Sequence, residues 1–371
     1  MPVVPPAAEP LRERAAEMFV WQSRACGALG SELYRVLLAA AADDIRAGGP
    51  CADAVAGYED APGPDAIALR LAGGVHALVL TGRAPELAGY YASAGGSFGP
   101  EQADACCRAF RATVAAELPW VREWMTRPPQ TNEVGRSNLL VTGLLRAVQT
   151  SPLPVRLFEL GSSAGLNLRP ERFRYEAGEA GDGFGWGPED SPVLLADAWQ
   201  GDPPGWLVRA AAARPEITVA ERHGCDLTPI DPLGGAGSLA LRAYVWPDQA
   251  ARHARLAGAL RLAAELPVRV RAQGAAEFLA GVEPVPGTLT VVWHSIMRQY
   301  VPAEVWARVD AELERLAAAS TPAAPFAYVA FEPERDGDRF PCRLALREGA
   351  AAREVLAEAA PHGLPAWTPQ A

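Results

Sequence analysis

The chain has 371 residues, enough for more than one packed unit. Its 49% hydrophobic and 21% charged content is that of a folded protein, not a disordered one. A formal net charge of −10 argues against nucleic acid as the main partner, because phosphate binding needs a basic face. No apolar run reaches the roughly 18 residues that a membrane helix needs. The start, MPVVPPAAEPLRERAAEMF, lacks the basic-then-apolar order of a secretion signal. The expectation is a cytoplasmic protein with no membrane partner. The six cysteines, at 26, 51, 106, 107, 225 and 342, form no C-x-x-C pair. They read as buried thiols in a reducing compartment, with no metal site expected. All 34 basic residues are arginine, so Schiff-base chemistry, a phosphate-loop lysine and a Ser-Lys dyad are excluded for this chain alone.

Residues 1–150 read as helices. SELYRVLLAAAADDIRAGGP places Leu33, Leu37, Ala41 and Ile45 at four-residue spacing, with a capping Ser31 and a stop at Gly48-Gly49-Pro50. DAIALRLAGGVHALVLTG and EQADACCRAFRATVAAEL have the same character, the second broken by Pro119. His76 lies on such an apolar face and reads as a structural histidine. A polar stretch, QTNEVGRS, then leads into a helix over 137–148. Within it Asn132, Glu133 and Arg136 are candidates to bind a substrate, arginine being suited to planar anions.

From about residue 153 short strand candidates alternate with helices. The strands are expected at 155–160, 217–226, 268–271, 289–294, 326–331 and 343–347, and the clearest helices at 248–265 and 303–319. That alternation predicts an α/β domain over 151–371, a mostly parallel sheet with flanking helices behind an all-helical domain over 1–150. Residues 173–199, rich in Gly, Pro and aromatics, read as an insertion containing a hairpin.

The first strand runs into Glu159 and then into Gly161-Ser162-Ser163-Ala164-Gly165. In an open parallel sheet, ligands bind beyond the carboxyl ends of the strands, where strand order reverses. Small residues let the backbone approach a ligand, and a following helix would offer unpaired N–H groups. Asn167 and Arg169 would sit at that helix start, facing a cofactor carboxylate or capping the helix. The second strand ends at Asp226, which can accept hydrogen bonds from ribose hydroxyls or cap a helix. The third ends in Gln273-Gly274, placed to border an adenine. The fourth ends at His294, a general-base candidate by its ordinary titration range. Trp246, in YVWPDQAARHARL, could stack on a substrate, or simply precede a turn made by Pro247. His223 and Cys225 flank Asp226, but they share the opposite strand face, which disfavours a metal.

The order ELGSSAGLN, GCDLTP, AQGAAEFL and LTVVWHSIMRQYV resembles Rossmann-like S-adenosylmethionine-dependent methyltransferases. Glu159, Gly161 and Gly165 match that family's first motif, with Ser163 in place of its middle glycine. Asp226, Thr228 and Pro229 match the second, and in the third Gly274 is followed by Ala275 where an acid is usual. The resemblance implies an S-adenosylmethionine cofactor held by Glu159, Gly161, Ser162, Ser163, Gly165, Asn167, Asp226, Gln273 and Gly274. It implies a small-molecule acceptor met by His294 and Tyr300. More narrowly, QTNEVGRS, ELGSSAGLNL, GCDLTPID, YVWPDQAARHARL and VVWHSIMRQYV together resemble an uncharacterised bacterial family, domain of unknown function 2332, which carries no established activity.

Two alternatives stay open on sequence. The turn also satisfies G-x-S-x-G, the nucleophile elbow of α/β-hydrolases, with Ser163 attacking and His294 or His362 as base. Against this, no strands precede the elbow to build an oxyanion hole. The other alternative is a nucleoside-binding protein of the same fold without catalysis.

Overall fold

The computed structural model describes residues 8–178, 183–337 and 339–369. In chain order its helices α1 (Ala8–Ala28), α2 (Glu32–Ala47), α3 (Pro50–Val55), α4 (Ile67–Leu80), α5 (Pro85–Ala88), α6 (Ala103–Ala116), α7 (Leu118–Met125) and α8 (Ser137–Thr150) come first. Then follow β1 (Val155–Leu160), β2 (Arg174–Ala177), β3 (Phe184–Trp186), β4 (Leu194–Leu195), α9 (Gly205–Ala213), β5 (Val219–Asp226), α10 (Gly235–Ala243) and α11 (Ala250–Glu265). The chain ends with β6 (Val270–Ala272), α12 (Ala275–Ala280), β7 (Leu289–Ser295), α13 (Ala303–Ala318), β8 (Phe326–Pro333), β9 (Cys342–Glu348), β10 (Glu354–Ala359) and β11 (Ala366–Trp367). Two compact units result: one runs to Thr131 and includes residues 234–253, the other holds 132–233 and 254–371.

The first unit is helical. Ser31 accepts a hydrogen bond from the Tyr34 N–H at the start of α2, and Gly48, at φ 72°, ends it in the left-handed conformation. The four-residue spacing buries Leu33, Leu37, Ala41 and Ile45 against Phe19, Leu71, Leu78 and Phe110. Pro119 falls in the first turn of α7, where its missing N–H costs nothing, so the break predicted there separates α6 from α7. Residues 234–253 join this unit by specific bonds. The Asp248 carboxylate accepts from Ser31 Oγ at 2.7 Å and from the Leu33 N–H at 3.0 Å. His76 is fully buried, Nδ1 lying 3.0 Å from the Ala243 carbonyl and Nε2 2.7 Å from Ser93 Oγ.

The second unit is built on an eight-stranded sheet in the order β11-β10-β9-β8-β7-β1-β5-β6. Strands β6, β5, β1, β7 and β8 are parallel, and β9, β10 and β11 continue antiparallel. Strand order therefore reverses between β1 and β7. The central strands β1 and β7 are buried almost throughout, as continuous apolar runs such as TVVW require. One face carries α12 and α13, with Phe158, Val292, Trp306, Leu313 and Phe326 between them and the sheet. Helix α8 covers β8, β9 and β10. A Cβ on its Gly143 would lie 2.6 Å from Val329 Cγ1, so the helix sits at a distance only glycine permits.

Three features depart from the sequence expectation. Helix α8 was grouped with the helical residues 1–150, yet it packs on the sheet, because its apolar sides are buried there. Strands β10 and β11 were not foreseen; EVLAEA carries no strand bias of its own, and pairing with β9 overrides propensity. The turn after β1 opens no α-helix. Two short 3₁₀ turns, Leu166–Leu168 and Pro170–Arg172, follow it, and among the described residues the next α-helix is α9. Pro170 disfavours the helical conformation at Arg169 and supplies no N–H, which stops propagation after one turn. The 173–199 insertion forms a three-stranded sheet, β3-β2-β4, whose β2–β3 pair is the expected hairpin; its residues 179–182 lie outside the described ones.

Candidate functional site

The carboxyl ends of β1, β5, β7 and β8 gather most of the residues singled out in the sequence. The turn after β1 is left-handed at Gly161 (φ 65°), Ser163 (φ 53°) and Gly165 (φ 67°). Its amides, expected to face a ligand, are largely used inside the protein. Ser162 N–H donates to the Cys225 carbonyl at 2.9 Å, and Ser163 N–H to Asp226 Oδ2 at 2.9 Å. Gly165 N–H donates to the Ser162 carbonyl at 2.8 Å, and Leu166 N–H to Asn132 Oδ1 at 2.7 Å. Without a helix to line these amides up toward the ligand side, burial compels them to find partners within the chain. Ser162 is fully buried, its hydroxyl donating to the Glu159 carbonyl at 2.8 Å. Any Cβ at position 224 would meet that hydroxyl at 2.4 Å, so Gly224 makes room for it.

QTNEVGRS is part of this construction. Asn132 holds the Leu166 amide, the Glu133 carbonyl accepts from Asn167 Nδ2 at 3.1 Å, and Ser137 Oγ donates to Asn167 Oδ1 at 2.8 Å. Arg136 donates from Nε to the Pro361 carbonyl at 3.0 Å and from Nη1 to the Ser295 carbonyl at 3.3 Å. Desolvation draws its guanidinium below the usual range, opposed by the charges of Glu133 and Glu332. Arg169 is buried and donates to the carbonyls of Gly165 and Leu266, both at 2.8 Å. Asn167 and Arg169 thus brace the turn itself.

Two buried oxygens at the head of the turn have no hydrogen-bond partner: Glu159 Oε2 and Ser163 Oγ. Glu159 is 3% exposed, and its other oxygen accepts from Trp293 Nε1 at 3.1 Å. Burial pushes this carboxyl up to about 8, the nearby Asp226 adding to the rise while the Trp293 bond, Arg169 and Arg136 oppose it. Asp226 is half-buried, its second oxygen accepting the Thr228 N–H at 2.9 Å. Gln273 N–H donates to the Asp226 carbonyl at 3.0 Å, and Gly274 caps α12, so both border this aspartate.

On the β7 side, His294 is 1% exposed, with Nδ1 2.7 Å from Glu332 Oε1 and Nε2 2.6 Å from Tyr328 Oη. Glu332 Oε1 also accepts the amides of Met297 at 2.9 Å and Arg298 at 3.2 Å. Burial alone would raise Glu332; the hydrogen bond and the charge of His294, then those two amides, outweigh it and hold the carboxyl below its ordinary range. A carboxylate only accepts, so His294 Nδ1 donates to Glu332. Burial first, then Glu332, raises the Tyr328 phenol, which keeps it a donor. His294 was expected to face an acceptor beside Tyr300. Both its nitrogens are instead engaged within the chain, and Tyr300 is 59% exposed on the turn Arg298–Tyr300. Glu332 and Tyr328 were missed. Their one sequence signal is FAYVAFEP, which puts them on the same strand face, ending in an acid at the carboxyl end.

Trp246 is not with these residues. It lies in the core of the helical unit, 5% exposed, its ring 6.2 Å from that of Tyr34. His223 stacks on Phe158 at 4.9 Å and bonds Glu221, while Cys225 is buried, its thiol pushed up to about 12 by desolvation. No group of three or more potential metal ligands occurs among the described residues. The hydrolase alternative loses its base, since no histidine bonds the Ser163 hydroxyl.

No described helix is long and apolar enough to cross a membrane. Neither the curated proteins nor the solved structures contain a match to this chain. The family model described as an uncharacterized protein conserved in bacteria, DUF2332, matches residues 16–367, and the chain belongs to that family.

Proposed function

We propose that the carboxyl ends of β1, β5 and β7 bind an adenosyl cofactor of the S-adenosylmethionine type, and that the protein is a methyltransferase-like transferase for a small molecule. The observation that carries this reading is positional: strand order reverses between β1 and β7, with the small-residue turn on β1 and Asp226 at the end of neighbouring β5. The residues present fit the group through side chains more than through amides. Glu159 Oε2 and Ser163 Oγ are buried polar atoms lacking partners, as a site completed by a polar ligand would have them. Asp226, pointed by the amides of Ser163 and Thr228, is the ribose acceptor. Gln273 and Gly274 flank the base.

The cofactor would supply an electrophilic methyl group to a nucleophile on the acceptor. The chain's part is then to position and to exclude water. The polar acid Glu159 is kept neutral near pH 7 by burial, so it donates a hydrogen bond where a charged carboxylate would only accept. The Glu332–His294–Tyr328 chain braces the carboxyl end of β7 through hydrogen bonds already formed. Titration calorimetry with S-adenosylhomocysteine tests the reading. Binding that weakens about ten- to hundredfold in Asp226→Ala, the loss of one or two charge-assisted bonds, supports it. An absence of binding heat with folded wild-type protein overturns it.

A further inference from the structure

We propose that residues 296–300 form a strained cover over the Gly161 turn, latched by Glu332, and that this cover must lift before a ligand reaches the turn. The proposal deepens the cofactor reading for the ligand's identity, but the latch itself stands on geometry alone. Ile296 has φ 45°, left-handed backbone that a β-branched side chain rarely adopts. Across from it Ser163 has φ 53°, so two of the four non-glycine left-handed residues among those described lie on the two loops flanking the strand-order reversal. Such conformations persist only where the surroundings force them.

The forcing contacts are identifiable. Ile296 N–H is tied to the Phe331 carbonyl at 2.9 Å. The next two amides, of Met297 and Arg298, both end on Glu332 Oε1, and Arg136 holds the Ser295 carbonyl. Four consecutive residues are thus pinned from β8 and from QTNEVGRS. The result is that Met297 lies directly over the turn: a Cβ on Gly161 would be 3.2 Å from Met297 Cβ and 3.3 Å from its Cε. Arg298, Gln299 and Tyr300 are exposed, and the Arg298 guanidinium rests on the Trp306 ring at 4.6 Å. Glu332 takes these three bonds on Oε1 alone and leaves Oε2, buried, without a hydrogen-bond partner, so the latch is lopsided. Strain at Ile296 favours opening, and the Glu332 bonds favour closure.

Amide hydrogen exchange at Met297 and Arg298 tests the latch without any ligand. Ile296→Asn keeps a side chain that tolerates the left-handed region, relieves the strain of the closed form and slows exchange at both amides by about tenfold. Glu332→Gln removes the charged acceptor and speeds them by a comparable factor. Central amides of β7 and β8 report whether either variant has merely destabilised the fold. Exchange at 297 and 298 that follows those sheet amides in every variant overturns the latch. Met297→Ala, measured with S-adenosylhomocysteine, then addresses the cover: tighter binding than wild type supports it, and equal or weaker binding contradicts it. If no variant binds the nucleoside, the cofactor reading fails while the exchange result still decides the latch.

Discussion

Glu159 is a carboxyl group shut away from water with one indole donor for company, and its pH behaviour follows from that. Its folded value, about 8, stands above its ordinary 4.5. Below pH 4.5 folded and unfolded chains are both protonated there. As pH rises from 4.5 toward 8, only the unfolded chain ionises, so stability is lost across that window and levels off above it. Glu159→Gln removes this slope, worth on the order of a few kcal/mol. Urea unfolding of both proteins near the two ends of the window checks it, and parallel curves count against a buried neutral acid. His76 runs the other way. Burial lowers it from 6.5 to about 3, so its share of stability is complete above 6.5 and is lost as pH falls toward 3. His76→Gln should flatten the acid limb of the denaturation curve. The positions of Glu159 and Asp226 at strand ends were readable because that signal is local, an acid closing a strand beside a small-residue turn. His294 was readable as a residue but not as a role, since Glu332 and Tyr328 reach it only through the β7–β8 pairing.

At the level of elements, β1, β5, β7, β8 and β9 declared themselves as apolar runs, and α2, α11 and α13 by their spacing. What failed was whatever depended on a partner element. The glycine turn suggested a helix because small turns often precede one, but Pro170 and the buried side-chain bonds from Asn132 and Arg169 shape that segment instead. Strand β10 exists because β9 pairs with it. Helix α8 meets the sheet through Gly143, and a methyl group there would have to displace Val329. Gly143→Ala is therefore predicted to cost about 1–3 kcal/mol by overpacking, although alanine is the better helix former. Equilibrium denaturation measures it; a neutral or stabilising result means that α8 can withdraw from β8 at little cost.

For the whole molecule, composition and alternation were enough to foresee an α/β unit and a helical one, but not that residues 234–253 leave the sheet connection to complete the helical unit. That segment looked like any crossover in the sequence, because Asp248 capping Ser31 and Leu33 is a contact across more than 200 residues. Asp248→Ala strips a buried hydroxyl and an amide of their acceptor and is predicted to destabilise by about 1–3 kcal/mol. Circular dichroism melts of the whole chain would register this as a lower midpoint, and an unchanged melt would leave the segment's attachment to its apolar contacts alone. Membership of an uncharacterised bacterial family brings no activity, so the proposed function rests on the sheet's carboxyl end. The most direct test is a crystal structure grown with S-adenosylhomocysteine. The account predicts the nucleoside beyond β1 and β5, both ribose hydroxyls within hydrogen-bond distance of Asp226 and Met297 displaced from Gly161. A nucleoside bound elsewhere, or crystals in which the turn stays covered at saturating ligand, would contradict it.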